Sequence, residues 1–313
     1  MEAELRFSVM GTRAHVRVLG DDANALAELA EQRLSELDAR WSRFRDDSEI
    51  SRLNHARGAP VVVSESTFGL IERGVRGSRT TAGRYDPTVL GAVVRAGYDR
   101  TFAHLAELEA DAAAPECAWE RGVEGIELDA VTHVVRLPHN VGFDPGGIGK
   151  GYAADLVLEE LLGRGARGIL IDVGGDLRVS GTPPDGDRWR VDVMDPFDPS
   201  MSARIATIGL RSGAVATSTR LRRSWIRDGT GAHHLIDPAT NRPAVTGLAA
   251  VTVIASEGWR AEVLAKAAFV AGPVDAAEVL ESLGVSGLLV TDAGSLKPVG
   301  AWADFAPSRS GGR

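Results

Sequence analysis

One segment limits what this chain can be more than any other: Asp144-Pro145-Gly146-Gly147-Ile148-Gly149-Lys150-Gly151-Tyr152-Ala153-Ala154-Asp155. Its glycines let main chain approach an anion closely, because no Cβ stands in the way. The helix expected to start near Gly149 adds unpaired N–H groups and the positive end of its dipole. Lys150 supplies a mobile positive charge at the same place. Together these make a phosphate cradle. The run is not a Walker A loop, since Asp144 stands where the first glycine belongs and Gly151 where a Ser or Thr must hold magnesium. Nor is it a dinucleotide fingerprint, because Tyr152 takes the position of the final glycine. The plainer alternative is a glycine-rich strand-to-helix turn with an exposed lysine.

The rest of the composition bounds the ligand. A net charge of -8 over 313 residues leaves no broad basic surface for nucleic acid or an anionic membrane, while a small phosphate-bearing ligand stays compatible. Cys117 is the single cysteine, which excludes an internal disulfide and a multi-cysteine zinc site. The opening residues Met1-Glu2-Ala3-Glu4 are acidic where an export signal is basic, and no run of 18 apolar residues exists. A cytoplasmic protein without a membrane span is therefore expected.

Hydrophobic periodicity predicts a strand over Phe7 to Val18 broken by a turn at Met10-Gly11-Thr12, then a helix from Asp22 to about Trp41. Ser42 to Asn54 reads as polar and punctuated, and Ser64 to about Arg76 as a helix. Ala103 to Glu120, rich in Ala and acids, is expected to be a variable surface excursion. A helix from Gly149 to Gly163 precedes a buried strand at Ile169 to Val173 and a second strand after the Gly174-Gly175 turn. Pro183 to Pro199 reads as a loop. Val251 to Ile254 is a strand, Arg260 to Ala271 and Asp275 to Leu283 are helices, and Leu288 to Val290 is a strand. Helices and strands mix without a sustained βαβ rhythm, so the expected class is α+β, with mixed, largely antiparallel sheets flanked by helices. Residues 1–305 are expected to form a single domain, either undivided or as two lobes with the ligand cleft between them, followed by a disordered tail over 306–313.

Further short motifs follow one another along the chain. They are Met10-Gly11-Thr12; Ser42-Arg43-Phe44-Arg45 with Ser48-Glu49-Ile50-Ser51-Arg52-Leu53-Asn54; Tyr85-Asp86-Pro87-Thr88-Val89; Gly174-Gly175-Asp176; Ala216-Thr217-Ser218; and His234-Leu235-Ile236-Asp237-Pro238. Each alone is a common turn or strand end. With the Asp144 to Asp155 run, their order resembles the ApbE family of FAD:protein FMN transferases, from about Phe7 to Leu289. That resemblance implies transfer of FMN from FAD to a Thr or Ser hydroxyl of an acceptor flavoprotein, release of AMP, and use of magnesium. It implies a flavin nucleotide pocket lined by Met10, Phe44, Asn54, Thr88, Val89, Asp144, Lys150 and Ile236. Magnesium is implied at the Gly147 carbonyl and at two side chains one helical turn apart, which here are Glu262 and Lys266.

Position 266 departs from the family pattern, where a Thr follows an acid at i+4. A protonated lysine cannot ligate a metal, so the pair reads either as a Glu–Lys helix ion pair or as an ammonium standing in for magnesium. Thr219, where the family usually has Gly, is expected to adjust only the pocket rim. For the base that takes the acceptor's proton, His234, Asp237 and Glu262 are all candidates. Two further readings share the pocket: a non-catalytic flavin-binding homologue, and an FAD pyrophosphatase that yields FMN and AMP. A free Lys150 head also implies that Lys150→Ala weakens FAD binding without unfolding the protein.

Overall fold

The computed structural model describes residues 1–101, 118–227 and 230–306. The expected excursion over 103–120 and the expected tail fall mostly outside those residues. The chain is α+β, built on an eight-stranded sheet in which every neighbouring pair of strands is antiparallel. In spatial order the strands are Glu2–Val9, Thr12–Leu19, Gly168–Val173, Asp176–Gly181, Gly213–Thr219, Leu248–Ala255, Ser286–Thr291 and Leu296–Val299. The first and last strands of the chain thus form the two edges of one sheet.

Alternation along the strands assigns the faces. Ile169, Ile171 and Val173 pack with the helices Ala23–Trp41 and Gly149–Gly163, while Leu170 between them packs on the opposite face against Trp189, Val191 and Ile208. Likewise Val251 and Val253 lie under the helix Gly258–Ser282, and Ile254 faces the other way. That second layer is a hairpin of Trp189–Met194 and Arg204–Leu210. The segment 183–199, expected to be a loop, therefore contains a strand: Trp189, Val191 and Val193 alternate with Arg190 and Asp192, a period-2 signal that the surrounding Pro and Asp residues obscure. The punctuated segment 42–54 also contains a helix, Glu49–His55, whose Ser48 side chain accepts the N–H of Ser51 as an N-cap.

The helix Gly258–Ser282 holds both halves expected at Arg260 to Ala271 and Asp275 to Leu283. Gly272, at φ +78°, and Pro273 mark the break between them.

Two helices form the frame of the cleft. The Gly149–Gly163 helix is buried on most sides, and its first turn crosses the start of the Gly258–Ser282 helix so closely that a Cβ on Gly151 would stand 2.3 Å from the Gly258 carbonyl oxygen. Asp155, one turn on, accepts the N–H groups of Gly258 (2.7 Å) and Trp259 (3.0 Å) and pairs with Arg178 of the sheet (2.8 Å). One carboxylate thereby satisfies two otherwise orphaned donors of the second helix and fixes where it starts on the first. On the other flank Trp41 stacks on Tyr152 with ring centroids 5.8 Å apart, and its indole N–H donates to Thr67.

Because the Gly151–Gly258 contact is backbone on backbone, no rotamer can relieve it. Gly151→Ala is expected to cost about 2 kcal/mol or more of stability, read as a lowered urea midpoint at unchanged slope.

Candidate functional site

A cleft of about 360 Å³ opens beside the glycine run, within the size range of small-molecule sites. Of the residues expected in a flavin pocket, Met10, Phe44, Val89, Asp144, Lys150 and Ile236 line it. Gly147, His234 and Lys266 line it as well. Met10 sits at φ +52° in the turn between the first two strands, and its N–H donates to Asp38 (3.0 Å). Asp144 caps its own turn by accepting the Gly146 N–H at 3.1 Å.

Asn54 and Thr88 are not among the residues that line the cleft. Asn54 is buried, and its amide clamps Phe143 from both sides, accepting the N–H at 2.8 Å and donating to the carbonyl at 3.0 Å. Thr88 is fully buried; its hydroxyl and N–H both donate to Asp86, and the hydroxyl accepts from Gly122. Both hold main chain next to Asp144: Asn54 at Phe143, and Thr88 beside Pro87, whose carbonyl accepts the Asp144 N–H at 2.7 Å. Asp237 also stays out of the cleft, where it accepts from Ala239 N–H and the Thr240 hydroxyl in its own turn.

Lys150 differs from the mobile charge expected of it. Its ammonium donates to Asp176 and, at 3.0 Å, to Glu262, whose other oxygen accepts the Gly151 N–H at 2.9 Å. Burial alone lowers the Lys150 pKa, but the two carboxylates outweigh it and hold the ammonium charged well above the ordinary lysine range. Glu262, only 1% exposed, is held below the usual carboxylate range because Lys150, Lys266 and the Gly151 N–H together overcome its burial. Asp176 was legible only as half of a Gly-Gly-Asp turn; the signal of its role is that it opens a strand directly beneath Lys150.

Lys266 comes from the same helical face as Glu262, 3.7 Å from it, and donates to the Gly146 carbonyl at 3.3 Å. These residues do not fit a divalent cation. One Glu262 oxygen already binds Lys150 and the other a main-chain N–H, and an ammonium stands between that carboxylate and the glycine carbonyls. Among the described residues, no group of three or more His, Cys, Asp or Glu side chains is arranged to hold a metal.

Arg43, nearly buried, also borders the cleft; it donates to the Tyr98 carbonyl at 2.8 Å and lies 3.5 Å from Asp144. Its guanidinium also covers the rings of Phe44 and Tyr98, at 4.2 and 4.6 Å. His234 is half-buried, with Nδ1 3.4 Å from the Arg223 carbonyl. Burial, reinforced by the charges of Lys266 and Arg223, pushes its pKa well below the ordinary histidine value, so the imidazole is neutral. Tyr85, which the sequence showed only as part of a proline turn, lines the cleft and packs with Lys266 around Gly147. Burial first, and then the charges of Glu262, Asp144 and Asp86, keep its phenol protonated.

Fold and cleft together define an α+β protein of the flavin-transferase architecture. A solved ApbE protein from Thermotoga maritima matches it with a TM-score of 0.87 at 27% identity, covering 98% of this chain and all of that one. A variant of the flavin transferase ApbE from Vibrio cholerae matches with a TM-score of 0.81 at 25% identity, over 97% and 99% of the two chains. The chain belongs to the ApbE family, whose model matches residues 10–289. Curated relatives named FAD:protein FMN transferase include those of Salmonella typhimurium, 32% identical over 93% of this chain and 84% of the relative, and Haemophilus influenzae, 30% identical over 91% and 86%.

Removing the Lys150 ammonium would strand two buried carboxylates. Lys150→Ala is therefore expected to lower stability by about 3 to 5 kcal/mol, measured by urea denaturation without ligand, in place of the purely ligand-binding effect the sequence implied.

Proposed function

We propose that this chain is an FAD:protein FMN transferase, which moves FMN from FAD onto a Thr or Ser hydroxyl of an acceptor flavoprotein and releases AMP. The observation that carries the reading is the cleft itself. It is lined by the N-terminus of the Gly149–Gly163 helix, Lys266, the Arg43 guanidinium, the aromatic rings of Phe44 and Tyr98, and a neutral imidazole. A dinucleotide with a flat ring system and a pyrophosphate matches that set of groups. The names carried by the curated relatives support the same activity. No helix among the described residues is long and apolar enough to cross a membrane.

The reaction joins the acceptor oxygen to the FMN phosphorus and breaks that phosphorus's bond to the bridging oxygen, which leaves with AMP. The acceptor's proton must go to a base, and negative charge on the non-bridging oxygens must be offset. Of the three candidate bases, Glu262 is fully engaged and Asp237 is held in its own turn, which leaves His234. If Nδ1 donates to the Arg223 carbonyl, Nε2 is an unprotonated acceptor, and the depressed pKa keeps it so. The resemblance implied magnesium for the charge; we assign that part to the Lys266 ammonium, which already stands beside Glu262 and the glycine carbonyls.

Mass spectrometry of a candidate acceptor incubated with protein and FAD tests the reading. An FMN-sized adduct supports it, free FMN with AMP points to a pyrophosphatase, and unaltered FAD points to a binding protein. His234→Asn is expected to cut transfer by roughly 100-fold or more with FAD affinity retained. Because the folded pKa is depressed, the base stays deprotonated as pH falls past the ordinary value of about 6.5, so the acid limb of kcat should lie below that point. Wild-type transfer is expected to be unchanged by EDTA, and Lys266→Thr, which restores the family's residue, to become dependent on added magnesium.

A further inference from the structure

The hydroxyl of Tyr85 is buried and has no hydrogen-bond partner among the described residues. Such a group is destabilising unless something completes it, because its water has been removed and nothing has replaced it. The ring is packed between two glycines, and the hydroxyl oxygen lies on the ring's own axis, so a flip of the ring would not bring it to a new partner. On one side a Cβ at Gly77 would touch its Cδ1 and Cε1 at 3.2 Å, and on the other a Cβ at Gly147 would stand 2.9 Å from its Cε2. Two glycines thus leave just enough room for the ring and hold it in place. The same point above Gly147 lies 3.1 Å from Cδ and Cε of Lys266, so phenol and lysine stem flank one Cα in the phosphate-cradle turn. Lys266 is loosely held there, its contacts to Gly146 and Glu262 being 3.3 and 3.7 Å.

We propose that Tyr85 is a substrate-binding residue whose hydroxyl, paired with the Lys266 ammonium, donates to a non-bridging phosphate oxygen of the flavin dinucleotide. This rests on the flavin-transferase reading and names a group that it would use. An entering phosphate draws the ammonium off the Gly146 carbonyl, and the space released beside Gly147 seats the oxygen that accepts from the phenol. The unpaired hydroxyl in the free protein is then the donor that the phosphate oxygen completes.

The test is Tyr85→Phe, which removes one oxygen and leaves the ring between its two glycines. Without ligand the variant should be as stable as wild type or more so. Flavin fluorescence titrations should show FAD binding weakened about tenfold or more, the loss expected for a hydrogen bond to a charged group. Riboflavin, which has the ring system and no phosphate, should bind both proteins equally. Equal weakening of riboflavin would place the hydroxyl on the ring system and overturn the proposal, as would unchanged FAD affinity. Wild-type protein that binds riboflavin and FAD with the same affinity would show that no phosphate contact exists. Wild-type protein that binds neither would instead remove the flavin reading itself.

Discussion

The ammonium of Lys150, held between Asp176 and Glu262, is the interaction on which the rest of the cleft depends. It joins the start of one helix, the start of a sheet strand and the first turns of another helix at a single buried point. The close backbone crossing at Gly151 and Gly258 makes that point geometrically possible, and the Asp155 cap fixes the rotation of the second helix about it. With these in place Glu262 has no choice of partner, and Lys266, one turn later, is delivered to the glycine carbonyls. An isolated buried ion pair contributes little net stability against an apolar substitute. Its value here is positional: three elements can meet only in the arrangement that satisfies all three charges.

That arrangement bears on how the chain handles phosphate charge. A carboxylate and a hydroxyl one helical turn apart can share a cation between them. A carboxylate and a lysine at the same spacing carry their own cation, covalently attached and present at any metal concentration.

How much of this was legible depends on whether the signal was local. The glycine run, the helix after it and the strand at Ile169 to Val173 follow from composition and periodicity within a dozen residues. The α+β class follows from the order of such pieces. The strand at Trp189–Met194 was hidden because Pro and Asp residues crowd its flanks, and the short helix Glu49–His55 because a polar segment masked its cap. At the site, Lys150, Asp144 and Ile236, each expected from a short motif, line the cleft. Asn54 and Thr88 sit in equally recognisable motifs yet serve the main chain, since a hydrogen-bonding side chain looks the same in sequence whether it meets a ligand or a backbone amide. Arg43, Tyr85 and Asp176 gained their meaning only from partners far along the chain, such as Tyr98, Gly147 and Lys150, and no local pattern encodes those.

The 112 residues that separate Lys150 from Glu262 have a consequence for biosynthesis. At ribosomal speeds of roughly 5 to 20 residues per second, the lysine and Asp176 are made several seconds before their second acid. The sheet is closed by strands drawn from both ends of the sequence, so its pairing too waits for the last segment. A nascent chain therefore cannot capture its dinucleotide early, and ligand cannot act as a template for the first half of the fold. Loading has to wait until the helix that bears Glu262 and the strands after it have been made, so an earlier intermediate on the ribosome does not compete for flavin.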